Sequence, residues 1–164
     1  MIEVETERLR LRPWRAEDYG PFAAYYADRT NAKYVGGQKD PEHAWRHLAL
    51  QIGHWVLKGF GYWAVDEKAT DRFVGCVGLW QSPAWPELEL GYWLLPEQQG
   101  KGYAAEACSR AIDVAKHTLH APSLVSYIDP ANTPSIKLAQ RLGAVHDGTI
   151  ELATFGPHRV YRHY

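Results

Sequence analysis

Between an apolar strand and an amphipathic helix the chain reads Pro96-Glu97-Gln98-Gln99-Gly100-Lys101-Gly102, and this junction constrains the fold more than any other stretch. Leu88 to Leu95 has the composition of a strand. From Tyr103 to Leu119, the residues Ala104, Ala107, Cys108, Ala111, Ile112 and Ala115 recur at i, i+3, i+4 spacing, which marks a helix buried along one face. Glycines at the helix entrance let the backbone approach another group with no Cβ in the way. The first turn of a helix also leaves amides unpaired at the positive end of its dipole. The junction is therefore an anion site in outline, although a plain tight strand-to-helix turn uses the same residues. A P-loop needs Ser or Thr after the lysine, and here Gly102 follows Lys101. Gly100, Gly102 and Ala105 do fit the dinucleotide fingerprint, and Asp129 ends the next strand. Pro96 to Gln99 intervene, however, where the glycine should follow the strand directly. Only about 60 residues remain beyond the loop, too few for the second half of a doubly wound domain.

The other elements are predicted from periodicity and punctuation. Leu9 and Leu11 point inward from a short strand over 8–12, leaving the Arg8, Arg10, Arg12 row on its solvated side. A helix follows over 16–27, which Gly20 and Pro21 can split or reset; Thr30 to Gln38 reads as loop. Asp40-Pro41 starts a helix to about Lys58, with Trp45, Leu48, Ala49, Ile52, Trp55 and Val56 as its apolar face. Tyr62 to Val65 and Phe73 to Trp80 form a hairpin around a turn at Asp66 to Asp71. Past the central junction come a strand at Leu124 to Ile128 and a helix from Thr133-Pro134 to Leu142, closed by Gly143. One or two strands follow in Val145 to Tyr164. This order gives an α+β domain with a mixed sheet, and 164 residues suit a single domain over 1–164.

Charge and composition remove several function classes. Lys and Arg number 18 against 19 Asp and Glu, so no excess of positive charge marks a nucleic-acid binder. No apolar run approaches the ~18 residues of a membrane span. The acidic start, Glu3 to Glu7, lacks the basic flank of a signal peptide, and two cysteines make neither a disulfide framework nor a metal quartet. A reduced cytoplasm is the expected compartment, and Cys76 and Cys108 are expected to be packed thiols. His43, His47 and His54 fall on one side of their helix, read here as a solvated stripe opposite the apolar face; no functional metal site is expected.

Several blocks together resemble one family. The segment Gln98-Gln99-Gly100-Lys101-Gly102-Tyr103-Ala104 is similar to the acetyl-CoA pyrophosphate loop of the GNAT N-acetyltransferase superfamily. Glu5-Thr6-Glu7-Arg8-Leu9-Arg10-Leu11-Arg12-Pro13-Trp14, Glu89-Leu90-Gly91-Tyr92-Trp93 and Asn132-Thr133-Pro134-Ser135 look like successive blocks of the branch containing the ribosomal-protein N-terminal-alanine acetyltransferases. The resemblance implies the GNAT fold: a mixed, mostly antiparallel central sheet with splayed strands, flanked by helices. It also implies transfer of an acetyl group from acetyl-CoA to a primary amine by direct attack in a ternary complex, with CoA as product. On that reading the pantetheine arm pairs with backbone at Trp93, Leu94 and Leu95, the Leu94 N–H facing the thioester carbonyl. The pyrophosphate rests on amides of Gln99, Gly100, Lys101, Gly102, Tyr103 and Ala104. Asn132 and Ser135, one helical turn apart, both face the cofactor.

Two departures matter. Glu97 stands where the family's loop has Gln or Arg, and Ala139 where many members have the tyrosine that protonates the departing thiolate. Ser135 is the replacement, unless it pairs locally with backbone. Glu89 is the expected base for the amine, or else binds it as a cation without taking the proton. Glu87 shares its strand face. Tyr34, Trp80 and Trp85 are expected to line the acceptor pocket or to pack under loops. The acceptor is left open among protein or peptide N-termini and small amines, and the chain is expected to be a monomer or homodimer. The rival readings are an acyl-CoA sensor without catalysis, suggested by Ala139, and an NAD-binding oxidoreductase.

Overall fold

The computed structural model describes residues 2–164. One eight-stranded sheet carries the strands β1 Val4–Glu5, β2 Leu9–Arg12, β3 Tyr62–Glu67, β4 Arg72–Trp80, β5 Glu89–Leu94, β6 Val125–Ile128, β7 Val145–Glu151 and β8 Pro157–Arg162. Their order across the sheet is β1-β2-β3-β4-β5-β6-β8-β7. Every neighbouring pair is antiparallel except β5 and β6. This is the mixed, mostly antiparallel α+β sheet expected, and it is not a doubly wound parallel sheet. The dinucleotide fingerprint at Gly100 thus lacks the fold that gives it meaning.

Helices α1 Tyr19–Ala27, α2 Arg29–Ala32, α3 Pro41–Lys58, α4 Tyr103–Asp113 and α5 Thr133–Arg141 cover the sheet. Against α1 and α3 lies an aromatic core of Trp14, Phe22, Tyr25, Tyr26 and Trp93 with Cys76 and Leu48. Trp93 stacks on Tyr25 at 3.9 Å between centroids. On the other face, Ala107, Cys108 and Ala111 of α4 meet Leu9, Leu11, Val65, Val77 and Leu90. Both cysteines are buried, as packing predicts.

Local readings need four corrections. Pro21 does not split its helix: it sits in the first turn of α1, where its missing N–H costs no hydrogen bond. A short helix, α2, forms where loop was expected, because the Asp28 Oδ1 accepts the amides of Thr30 and Asn31 at 2.7 and 2.9 Å. The inward row of α3 is Ala44, Leu48, Gln51, Trp55, whereas Trp45 and Val56 are 58% and 79% exposed. Two apolar rows one residue apart have the same period, and the sequence cannot rank them. The histidines border the inward row instead of opposing it. His43 is exposed, His47 packs beside the Tyr26 hydroxyl at 3.2 Å, and His54 is buried under Trp80.

The fourth correction is Arg12. It was expected to be solvated, but it is 4% exposed, between Asp18 and Asp66, each 3% exposed. Asp66 is a strand residue, not part of the turn. Arg12 donates Nε and Nη2 to Asp66 at 2.5 and 2.8 Å, and Nη1 and Nη2 to Asp18, each at 2.8 Å. Its remaining Nη1 proton goes to the Pro13 carbonyl at 3.0 Å. All five guanidinium N–H groups are paired, which a lysine could not reproduce. Truncating Arg12 to Ala strands two buried carboxylates. It is expected to cost ~3–5 kcal/mol in urea-unfolding experiments, and a loss near zero would show that the acids do not depend on the guanidinium.

Candidate active site: a gap between two strands

The two parallel strands separate almost as soon as they meet. Glu89 is opposite Val125, the Val125 N–H donates to the Leu88 carbonyl at 3.0 Å, and the Ser126 hydroxyl donates to the Leu90 carbonyl at 2.9 Å. Beyond these bonds β5 and β6 share no ladder pair. The Leu95 amide turns the other way, to the Val74 carbonyl at 2.9 Å. Alternation along the strand then turns the Leu94 N–H into the gap. Of the expected trio, only Leu94 has its backbone on the open edge. Trp93 is in register with Cys76 on the β4 side, and its indole fills the aromatic core. The Leu94 carbonyl accepts a hydrogen bond from the Gln99 side chain at 3.2 Å.

At one end of this gap stands the glycine loop. Gly100 and Gly102 have φ of +75° and +82°, a region that penalises any residue with a Cβ. Arg8 buttresses the loop by donating to the Lys101 carbonyl at 2.9 Å while pairing with Glu106 at 2.7 Å. Lys101 reaches the Gln98 side chain at 2.8 Å. The first amide to close the ladder of α4 is Glu106, on the Gly102 carbonyl at 3.1 Å. The amides of Tyr103 and Ala104 therefore have no intrahelical partner, so an anion is favoured there.

Deeper in, a cavity of about 420 Å³ brings together Glu89, Asn132, Ser135, Tyr34, Trp80 and Trp85, with Trp93 in its wall. Residues 99–104 lie outside this lining. Glu89 accepts a hydrogen bond from the Trp85 indole N–H at 2.5 Å. Burial raises its pKa to about 7, despite opposing hydrogen bonds from Trp85 and the Tyr127 backbone amide. Glu87, two residues away, behaves oppositely. Arg162 grips it at 2.7 and 2.9 Å and Ser123 donates at 2.6 Å, which hold its pKa down near 2. Environment thus splits two like residues into a fixed anion and a group poised to exchange protons near neutrality.

Asn132 caps α5, its Oδ1 accepting the Ser135 amide at 3.3 Å. The Ser135 hydroxyl does not bond backbone locally; it lies 3.0 Å from the hydroxyl of Tyr92, a residue not singled out from the sequence. Tyr92 comes from β5, and burial raises its pKa to about 12, so it keeps its proton at neutral pH. Its signal was its parity: Tyr92 and Leu94 share the face of β5 that looks toward α4 and α5. His54 was also missed. It stacks on Trp80 at 4.1 Å and bonds the Phe60 carbonyl at 2.8 Å, fixing that indole from behind. Gly91 shares the face of Glu89, and a Cβ there would strike the Tyr62 hydroxyl, so only glycine leaves room for that ring over the strand.

Among the described residues, no helix is long and apolar enough to cross a membrane, and no three His, Cys, Asp or Glu side chains gather to hold a metal ion.

This arrangement has relatives. The acetyltransferase (GNAT) domain model matches residues 8–145. The uncharacterized N-acetyltransferase p20 of Bacillus licheniformis is 31% identical over 154 residues, covering 92% of this chain and 86% of that one. An acetyltransferase from Agrobacterium tumefaciens str. C58 superposes with a TM-score of 0.89 at 33% identity, over 100% of this chain and 95% of that one. A ribosomal L7/L12 alpha-N-protein acetyltransferase in complex with coenzyme A shares the fold, with a TM-score of 0.80 at 14% identity over 98% and 97% of the two chains.

The raised carboxyl has a measurable consequence for stability. A folded-state pKa of about 7 against an ordinary value of 4.5 means that the native protein binds the proton more tightly than the unfolded chain. Glu89 therefore disfavours folding progressively as pH rises from about 4.5 to about 7, and Glu89→Gln removes that slope. Urea midpoints compared across this window should converge at low pH and separate above it, with the variant the more stable; parallel curves would place the carboxyl in ordinary solvent.

Proposed function

Starting from a chain that belongs to the GNAT acetyltransferase family, we propose that it moves an acetyl group from acetyl-CoA to a primary amine by direct attack within a ternary complex. The observation that carries this reading is Glu89: a carboxyl with a pKa of about 7, on the strand that turns the Leu94 N–H into the gap. The residues present fit the donor. An open strand edge at Leu94 suits the amides of a pantetheine arm by strand addition, and the loop from Gln99 to Ala104 suits a pyrophosphate. When bound, acetyl-CoA supplies an acetyl group activated by its bond to sulfur.

The chain's own groups then have distinct tasks. Glu89 takes a proton from the ammonium, directly or through water, and leaves the amine nucleophilic. The Leu94 N–H stabilises negative charge growing on the carbonyl oxygen. The Ser135 hydroxyl, backed by the Tyr92 hydroxyl 3.0 Å away, delivers a proton to the departing sulfur. On this reading the pair supplies the function that Ala139 lacks, which favours a transferase over a sensor without catalysis. Asn132 acts indirectly, by fixing the first turn of α5 that carries Ser135.

Saturating acetyl-CoA, at ~100 times its Kd, should stabilise the protein by about 2.7 kcal/mol, a midpoint rise of roughly 5–10 °C that NADH does not produce. Gly102→Val should remove that rise. Turnover should increase with pH through an apparent pKa near 7, and Glu89→Gln should flatten this limb and lower kcat by about 10²-fold. In Ser135→Ala and Tyr92→Phe, kcat is expected to fall about 10-fold or more while the acetyl-CoA midpoint rise persists. Unchanged turnover in both would remove the hydroxyl pair from the reaction.

A further inference from the structure

The cavity also bears on which amine it takes. At the Glu89 end, Glu89 is the sole acidic side chain of the lining. The other acid, Asp129, lies four residues further along β6 from Val125, about 13 Å at the rise of a strand. The lining also contains Lys39, whose ammonium donates to the Gly36 carbonyl at 2.8 Å. His47 and His163 line the cavity too, and burial pulls both to a pKa of about 4, so they are neutral at pH 7. The site thus offers one anion, Glu89, and no second one within reach of the same end.

The remaining wall there is aromatic and held in place. The Trp80 and Trp85 rings meet at 82° with centroids 6.5 Å apart, forming a corner. His54 covers one face of Trp80, and the Trp85 indole N–H is bonded to Glu89 itself. The ring that would receive a substrate body is therefore fixed to the carboxylate that would receive its ammonium. Phe155, in the turn between β7 and β8, meets Trp85 edge-on at 5.9 Å. Gln51, also in the lining, is 7% exposed, its side-chain amide 3.4 Å from the His47 Nε2.

From these features we infer that the acceptor is a small monocationic primary amine with a flat apolar body, the chemistry of an arylalkylamine. The inference rests on the acetyl-transfer reading above. Glu89 takes the ammonium, and the tryptophan corner takes the ring. A polyamine brings at least one more charge than this end can pair, in a cavity that already holds Lys39. A peptide N-terminus brings a run of backbone donors and acceptors to ring faces that cannot bond them.

The test uses the whole protein with acetyl-CoA and follows thiol release with tryptamine, spermidine and an Ala-initiated tetrapeptide. Tryptamine should exceed the other two by about 100-fold or more in kcat/KM, a ratio in the range that buried unpaired groups produce. Trp80→Leu should lower kcat/KM for tryptamine chiefly through KM. Acetyl-CoA stabilisation combined with equal or faster use of spermidine or the tetrapeptide overturns the inference and leaves the transferase reading standing. So does acetyl-CoA stabilisation with no acetylation of tryptamine. Absence of acetyl-CoA stabilisation overturns the transferase reading first, and this inference with it.

Discussion

A β-strand that loses its neighbour partway along must satisfy its backbone groups elsewhere or leave them open. In this protein β5 and β6 bond around Glu89 and Val125 and then diverge. Ser126 bonds the Leu90 carbonyl with its hydroxyl, and Gln99 bonds the Leu94 carbonyl with its side-chain amide. The Leu94 N–H is what the divergence leaves facing the gap. The rest of the architecture follows from holding that opening. The aromatic core anchors β5 from one side through Trp93, and α4 packs on the other through Cys108 and Ala111. At the far margin of the sheet, the Arg12 ion cluster ties β2, β3 and the turn before α1 together.

Burial tunes the titratable groups around the gap to different ends. Burial raises both Glu89 and Tyr92, but from different starting points. The carboxyl arrives near neutrality and can exchange protons at physiological pH, while the phenol moves further from it and remains a donor. Glu87, gripped by Arg162, shows that the strand alone does not set these values. One residue pair spaced by two positions yields two chemistries because one carboxylate meets a guanidinium and the other is buried with no cation paired to it.

The sequence made legible whatever depends on local chemistry. Positive φ at Gly100 and Gly102, the Asp40 cap of α3 and the burial of Cys76 and Cys108 follow from residue type and short spacing. Glu89, Ser135, Tyr34, Trp80 and Trp85, named on a mixture of parity and resemblance, do converge on one cavity. What stayed hidden depends on partners distant in the chain. Arg12 looks like any strand arginine until Asp66, 54 residues away, is beside it. His54 looks solvated until β4 brings Trp80 against it. Tyr92 looks like a packing residue until α5 sets Ser135 next to its hydroxyl. The inward row of α3 is invisible for the same reason: the helix offers two apolar stripes, and only the fit of Leu48 and Trp55 to the sheet chooses between them.

The C-terminal hairpin joins the two ends of the cavity mechanically. β6, one wall of the gap, is paired with β8 from Val125–Arg162 to Ile128–Arg159, and β8 is paired with β7. The turn between β7 and β8 places Phe155 against Trp85 at the aromatic end. A displacement of β6 away from β5 is therefore also a displacement of the piece that bears on Trp85. Thermodynamic reciprocity governs any such shared element: whatever factor a molecule in the gap applies to affinity at the aromatic end, a molecule at the aromatic end applies to the gap. Cooperativity between the two ends thus has a physical carrier, a hairpin that belongs to both.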